Sequence, residues 1–173
     1  LRKEHGRNED PSAGIIDSQT VKGTPESVKE SGFDGGKRIK GRKRHIVVDT
    51  NGYLMIAIAH AANIYDGHAA ERVLKALFSI VKTLRKIWAD GAYNGEEFIR
   101  WVKEQFGCIL EVVKRKKGSG FQVLPRRWVV ERTIAWLHNF RRLRIRFERL
   151  PIIHEAFISI ACCLICWRTL RND

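Results

Sequence analysis

Between Ala13 and Leu170 the spacing of apolar residues changes in a fixed order, and that order limits the folds open to the chain. Ala13–Val21, His45–Asp49 and Tyr53–Ala62 are short runs rich in β-branched and apolar residues, the pattern of strands. Thr50-Asn51-Gly52 joins the second run to the third, and Asn-Gly is a strong hairpin signal. From Asp66 to Leu84 the period lengthens, with Ala70, Val73, Leu74, Leu77, Phe78 and Val81 on one helical face. Arg85–Ala89 reads as a short buried strand and Glu96–Phe106 as a helix with Phe98, Trp101, Val102 and Phe106 facing inward. Cys108–Lys114 is a fifth strand, and helices follow over Pro125–Leu143 and Ile152–Leu170, with a break at Pro151. The order β-β-β-α-β-α-β-α-α predicts an α/β fold, a mixed five-stranded sheet with helices on both faces. A chain of 173 residues, 44% of them apolar, is one domain with a real core. Residues 1–13 read as a linker or the remnant of a missing N-terminal region, and 14–173 as the domain.

Three acidic residues stand where this order brings distant segments together. Asp17 interrupts the first strand, where aspartate is disfavoured unless a hydrogen-bond network, a metal or a turn explains it. Asp90 follows the fourth strand directly. Glu131 lies in the Pro125–Leu143 helix on a face with Arg127, His138 and Arg142, opposite the stripe Val129, Thr133, Trp136, Phe140. With the first strand central beside the fourth, Asp17 and Asp90 become neighbours at strand ends, the usual place for ligands in open α/β sheets. A helix packed on that sheet carries Glu131 to the same point. The plain alternative for the helix is a solvated face with an Arg127–Glu131 pair, worth a few tenths of a kcal/mol. Converging carboxylates in a basic protein point instead to phosphodiester chemistry. Two divalent cations about 3.5–4 Å apart stabilise both the attacking and the leaving oxygen, and hard Mg²⁺ needs only a few carboxylate oxygens besides water.

The formal charge of +13 calls for a polyanionic partner, of which nucleic acid is the commonest; ribosomal or membrane-surface binding gives the same charge. Six Lys or Arg fall in the eight residues 37–44. Gly23–Gly41 and this run read as a flexible basic arm, with Lys37, Arg38, Lys40, Arg42, Lys43 and Arg44 as phosphate contacts. A second basic loop holds Lys114, Arg115, Lys116 and Lys117. The longest apolar stretch, Ala156–Trp167, is too short and too interrupted to span a bilayer and the start carries no apolar signal region, so the expectation is no membrane partner and cytoplasmic residence. Cys108, Cys162, Cys163 and Cys166 lack zinc-site spacing and read as buried thiols.

Ile16-Asp-Ser-Gln-Thr-Val21, Trp88-Ala-Asp-Gly-Ala-Tyr93 and Arg127-Trp-Val-Val-Glu-Arg-Thr-Ile-Ala-Trp-Leu137 together resemble the catalytic core of bacterial insertion-sequence DDE transposases, over about Ile15 to Leu170. The resemblance implies an RNase H-like fold and a triad of Asp17, Asp90 and Glu131 that is both catalytic and metal-binding, with Mg²⁺ or Mn²⁺, two ions, as cofactor. It implies hydrolysis at a transposon end, attack of the freed 3′-hydroxyl on target DNA, a homodimer in the synaptic complex and association with the nucleoid. One group carries the signature Tyr-x2-Arg-x3-Glu-x6-Lys. Arg127 and Glu131 match it, while Leu124 stands at the Tyr position and His138 at the Lys position. By this resemblance Arg127 and His138 are DNA contacts. An RNase H-like nuclease that does not join strands, or an inactive DNA-binding fragment, would share many of these features.

The remaining candidates have ordinary explanations. Asp49 precedes Asn51-Gly52 and reads as a turn residue, Asp66 as a helix cap, and His60 and His68 as structural. Trp88 and Trp101 fit core positions; for Trp128, at the start of the Glu131 helix, stacking on a base is the minor reading. Arg141, Arg142, Arg144 and Arg146 crowd a helix end, where they complement its dipole or meet DNA.

Overall fold

Strand β1, Ala13–Lys22, lies at the centre of the sheet, because both of its edges find partners. Along one edge β3, Ile39–Asp49, runs antiparallel, from Gly14 opposite Asp49 to Lys22 opposite Gly41. On the other edge β5, Lys86–Ala89, pairs in parallel through Ala13–Lys86, Gly14–Ile87 and Ile15–Trp88. Strand β6, Ile109–Val112, extends the sheet beyond β5. The far edge of β3 is shared end to end by β2, Gly32–Asp34, and β4, Leu54–Ala61. The computed structural model describes residues 1–27, 30–113 and 126–172. Among them the sheet has six strands rather than the expected five, and Gly23–Gly41 is not simply a loop. It carries the short strand β2 and the start of β3. The second basic loop, Lys114 to Lys117, and Leu124 lie outside the described residues.

The pleat sends alternate side chains to two cores. Ile16, Val47, Ile87 and Ala89 point to one face, where α1 (Asp66–Ile80) and α2 (Glu96–Phe106) bury Val73, Leu74, Leu77 and Val102. Ile15, Ile46, Val48 and Trp88 point to the other, where α3 (Arg127–His138), α4 (Arg141–Arg144) and α5 (Pro151–Asn172) add Val130, Leu137, Leu143 and Ile158. Burial of side chains of this size contributes about 1.5–3 kcal/mol each, so two filled faces fix the strand register. The expected Pro125–Leu143 helix stops at His138. Phe140 takes an extended backbone (ψ 113°), and α4 starts as a separate turn.

Strand β3 accommodates a basic run by dividing it between faces. Arg42 and Arg44 turn toward the α4–α5 side, where Arg42 donates to the Arg149 carbonyl at 2.8 Å and Arg44 to the Leu143 carbonyl at 3.1 Å. Arg44 Nε also donates to Gln19 Oε1 at 3.1 Å. Lys43 and His45 turn the other way to Asp66, at 3.0 and 3.4 Å. Arg42, Lys43 and Arg44 are therefore buried inside the fold rather than carried on an arm. Asp66 is the first residue of α1 but makes no side-chain cap; its carboxylate serves these cations.

Helix α5 matches the expected Ile152–Leu170 helix and extends well beyond the apolar stretch Ala156–Trp167. Pro151–Arg171 has a mean hydropathy of 1.5 in its most apolar window, long and apolar enough to cross a membrane by length and composition. One face is nevertheless packed on the sheet: Ile158, Ala161 and Cys162 are buried, and Glu155 Oε1 accepts from the Ala59 N–H at 2.7 Å. The expected core tryptophan Trp88 is buried, and Trp101 packs against the α1–α2 core. The four cysteines are free; Cys108 and Cys162 are buried, Cys166 is half-buried and Cys163 is exposed.

Candidate active site

The parallel pairing of β1 with β5 matches residues 73 positions apart, as in Ala13 with Lys86. Asp17 and Asp90 are separated by the same offset. The pairing ends at Ile15 and Trp88, and the same register continued would bring the two aspartates abreast. Pleat parity puts Asp17 on the face of Ile15 and Asp90 on the face of Trp88, which is the α3 face. Asp17 Oδ1 accepts from the Ser18 N–H at 2.7 Å. Asp90 Oδ1 accepts from the Ala92 N–H at 2.9 Å, where the chain turns into a short 3₁₀ segment, Gly91–Tyr93. Each aspartate thus spends one oxygen on the backbone and keeps the other for the site.

Helix α3 brings the third carboxylate, and the β3–β4 turn sets its position. Thr133 Oγ1 donates to the Gly52 carbonyl at 2.8 Å, and Arg132 Nη2 to the Asn51 carbonyl at 2.6 Å. Gly52 has φ +92°, and a Cβ there would meet Thr133 Oγ1 at 2.9 Å, so only glycine fits. Asp49 closes the same turn by accepting from the Asn51 and Tyr53 N–H groups, the turn role expected of it. The guanidinium of Arg126, which has φ +69°, lies 5.0 Å from the Trp88 ring centroid just ahead of the helix. Arg132 lies between Trp128 and Trp136, at 4.7 and 4.6 Å, so Trp128 already has a cationic partner while 46% exposed. Of these residues, Arg126 and Arg132 carry no signal in the sequence. Asn51-Gly52 signalled the turn but carried no sign of what rests on it.

The three expected site residues come together around one atom. Arg127 Nη2 is 3.5 Å from Asp17 Oδ2, 3.9 Å from Asp90 Oδ2 and 3.5 Å from Glu131 Oε1. The Asp17 side chain is 13% exposed, that of Asp90 31% and that of Glu131 51%, so the site grades from buried strand to open helix face. Burial pushes the Asp17 carboxyl up to about 6, opposed by the Ser18 N–H and Arg127 and reinforced by Asp90 and Glu131. The donor set is three hard carboxylate oxygens already gathered about a positive charge, which suits a divalent cation such as Mg²⁺. As they stand, no three His, Cys, Asp or Glu among the described residues are close enough to ligate one ion; the guanidinium stands among the carboxylates.

The candidate DNA contacts divide by burial. Lys37, Arg38 and Lys40 are exposed, and Arg38 and Lys40 with Lys22 line a cleft of about 630 Å³. Lys22 is five residues along β1 from Asp17, about 17 Å. Arg42, Lys43 and Arg44 are engaged in the interior, as described above. His138 is exposed, two turns beyond Glu131 on α3, with its pKa lowered by partial burial and by Arg44 and Arg144. His60 is buried and stacks on His45, with ring nitrogens 2.9 Å apart, a structural pair on the opposite face from the triad.

A family model, the transposase DDE domain, matches residues 8–166. The transposase assigned to insertion sequence element IS402 of Burkholderia cepacia is 43% identical over 139 residues, 76% of this chain and 65% of that protein. The chain thus spans about 65% of the length of the curated relative it matches. Among solved structures, the HTLV-2 integrase catalytic core domain in complex with magnesium aligns with a TM-score of 0.51 at 16% identity, over 90% of this chain and 86% of that one. A chain of the simian T-cell lymphotropic virus intasome, in complex with the PP2A regulatory subunit B56 gamma, gives 0.52 at 17% identity, over 90% of this chain and 49% of that one. At such identities the likeness is one of fold, and the fold is RNase H-like. With its family match running from the N-terminal turn into α5, the chain belongs to the DDE-domain transposases of insertion sequences.

Proposed function

We propose that residues 14–173 are the catalytic domain of a DNA transposase that cuts the phosphodiester at an element end and joins the freed 3′-hydroxyl to target DNA. The convergence of Asp17, Asp90 and Glu131 on a single nitrogen, from a strand, a strand end and a docked helix, carries this reading. The three carboxylates would hold the cofactor, two Mg²⁺ or Mn²⁺ ions. When bound, these ions supply charge stabilisation to the attacking and leaving oxygens and lower the pKa of the attacking water. The remaining work falls to the chain. Arg127 presents a planar fork suited to phosphate oxygens. His138 extends the α3 face along the DNA, and Lys37, Arg38 and Lys40 with Lys22 attract its backbone further out. The buried end of the site at Asp17 excludes water from one side of the reacting phosphate. In the first step water oxygen bonds to phosphorus and the 3′ oxygen leaves with a proton. In the second, that hydroxyl attacks a target phosphodiester in line and a target 3′ oxygen leaves. Two copies of the full-length protein would hold two element ends, acting on nucleoid DNA in the cytoplasm.

The test is a nicking and strand-joining assay of the full-length protein on element-end DNA with Mg²⁺ or Mn²⁺. Asp17→Asn, Asp90→Asn and Glu131→Gln should each abolish cleavage and joining while DNA binding persists. Cleavage retained by any one of them removes that residue from the site. Cutting without joining by the wild type would make the protein a nuclease instead.

A further inference from the structure

The Arg127 guanidinium stands at the point on which three carboxylates from three elements converge. None of its contacts to them, at 3.5, 3.9 and 3.5 Å, reaches the 2.7–2.9 Å of a strong charge-assisted hydrogen bond. Its Nε is buried without a hydrogen-bond partner, and the side chain is only 11% exposed. Charge therefore holds the group more than directional bonding does. An i,i+4 helix pair would account for Glu131 alone, yet the guanidinium also reaches across to both strands. Among the described residues no other cation pairs with any of the three carboxylates.

We propose that Arg127 is a built-in counter-cation of the triad, in direct competition with the divalent ion, so that metal binding displaces it. The proposal rests on the metal-site reading above. Mg²⁺ requires carboxylate oxygens at about 2.0–2.1 Å, and a guanidinium among them holds them too far apart and repels a second cation. The displaced side chain has a second seat available, because its fork matches the oxygens of a DNA phosphate. Metal and DNA binding then favour one another, since each occupies a partner that the other's arrival frees.

Mn²⁺ titration of the full-length protein, followed by electron paramagnetic resonance, tests this without reference to activity. Arg127→Ala and Arg127→Gln should bind Mn²⁺ about tenfold more tightly than wild type. Arg127→Lys, which keeps the charge, should stay near wild type. The rise in Tm on adding Mn²⁺ should be larger in Arg127→Gln than in wild type, which shows that the variant is folded and gains from the ion. Unchanged or weaker Mn²⁺ binding in both neutral variants overturns the proposal. Asp17→Asn separates the two levels. If it removes Mn²⁺ binding while Arg127→Gln gains nothing, displacement fails and the metal site stands. If it leaves Mn²⁺ binding intact, the ion is not at the triad and both readings fall.

Discussion

A carboxylate in a central strand opposes folding, and Asp17 is kept there against that cost. Its folded-state value of about 6 lies above the ordinary 3.8, so the stability linked to its protonation is present below pH 3.8 and lost as pH rises through 6. At neutral pH the ionised group is disfavoured by about 3 kcal/mol relative to an ordinary aspartate. Asp17→Asn should therefore raise the Tm in EDTA at pH 8 by several degrees while abolishing cleavage. Calorimetry showing an unchanged or lower Tm would contradict this. The buried histidines run the other way. Burial lowers His154 to about 4, and burial together with His60 lowers His45. Their contribution is present above the ordinary 6.5 and is lost as pH falls through that value toward 4. The wild type should lose stability steadily over this window, and Asp17→Asn more steeply, because Asp17 opposes the loss between about pH 4 and 6. A flat Tm from pH 6.5 to 4 would rule out both buried histidines as the cause of acid sensitivity.

Among the elements, apolar periodicity located strands and helices but overran two helix ends: the Asp66–Leu84 helix stops at Ile80 and the Pro125–Leu143 helix at His138. Glu96–Phe106 coincides with α2, and β1, β4 and β5 fall within a residue or so of expectation. The failure was β3. A run of Lys, Arg and Gly has low strand propensity, and its partners Gln19, Asp66 and the Leu143 carbonyl are remote in sequence. Nothing local showed that the cations alternate between two buried networks. The correction has a measurable form. Arg44→Ala should cost about 1–3 kcal/mol in urea unfolding, because it leaves Gln19 Oε1 and the Leu143 carbonyl without their buried donor. Replacing Lys37, Arg38 and Lys40 together by alanine should leave Tm unchanged, weaken DNA binding across sequences and reduce the salt slope by about 2–3. If Arg44→Ala unfolds no more easily than the wild type, the strand assignment of its role is wrong. Gly52→Ala should destabilise by about 1–3 kcal/mol and loosen α3, since the turn needs both the positive φ and the close approach of Thr133. A normal urea midpoint in that variant would show that the turn does not seat the helix.

For the molecule as a whole, the topology decides whether the triad can exist. Asp17 and Asp90 were readable as neighbours once the first strand was placed beside the fourth, and the shared offset of 73 confirms that register. Glu131 was readable from its helix and from family resemblance, but not the nitrogen on which all three meet, because Arg127 looked like an ordinary i,i+4 partner. Anomalous diffraction from crystals of the full-length protein soaked in Mn²⁺ locates the ion. The expectation is a peak at the triad, within coordination distance of oxygens of Asp17 and Asp90, with Glu131 turned toward it and the Arg127 guanidinium withdrawn. A peak elsewhere, such as at His45 and His60, or no peak at the triad at saturating Mn²⁺, would contradict it.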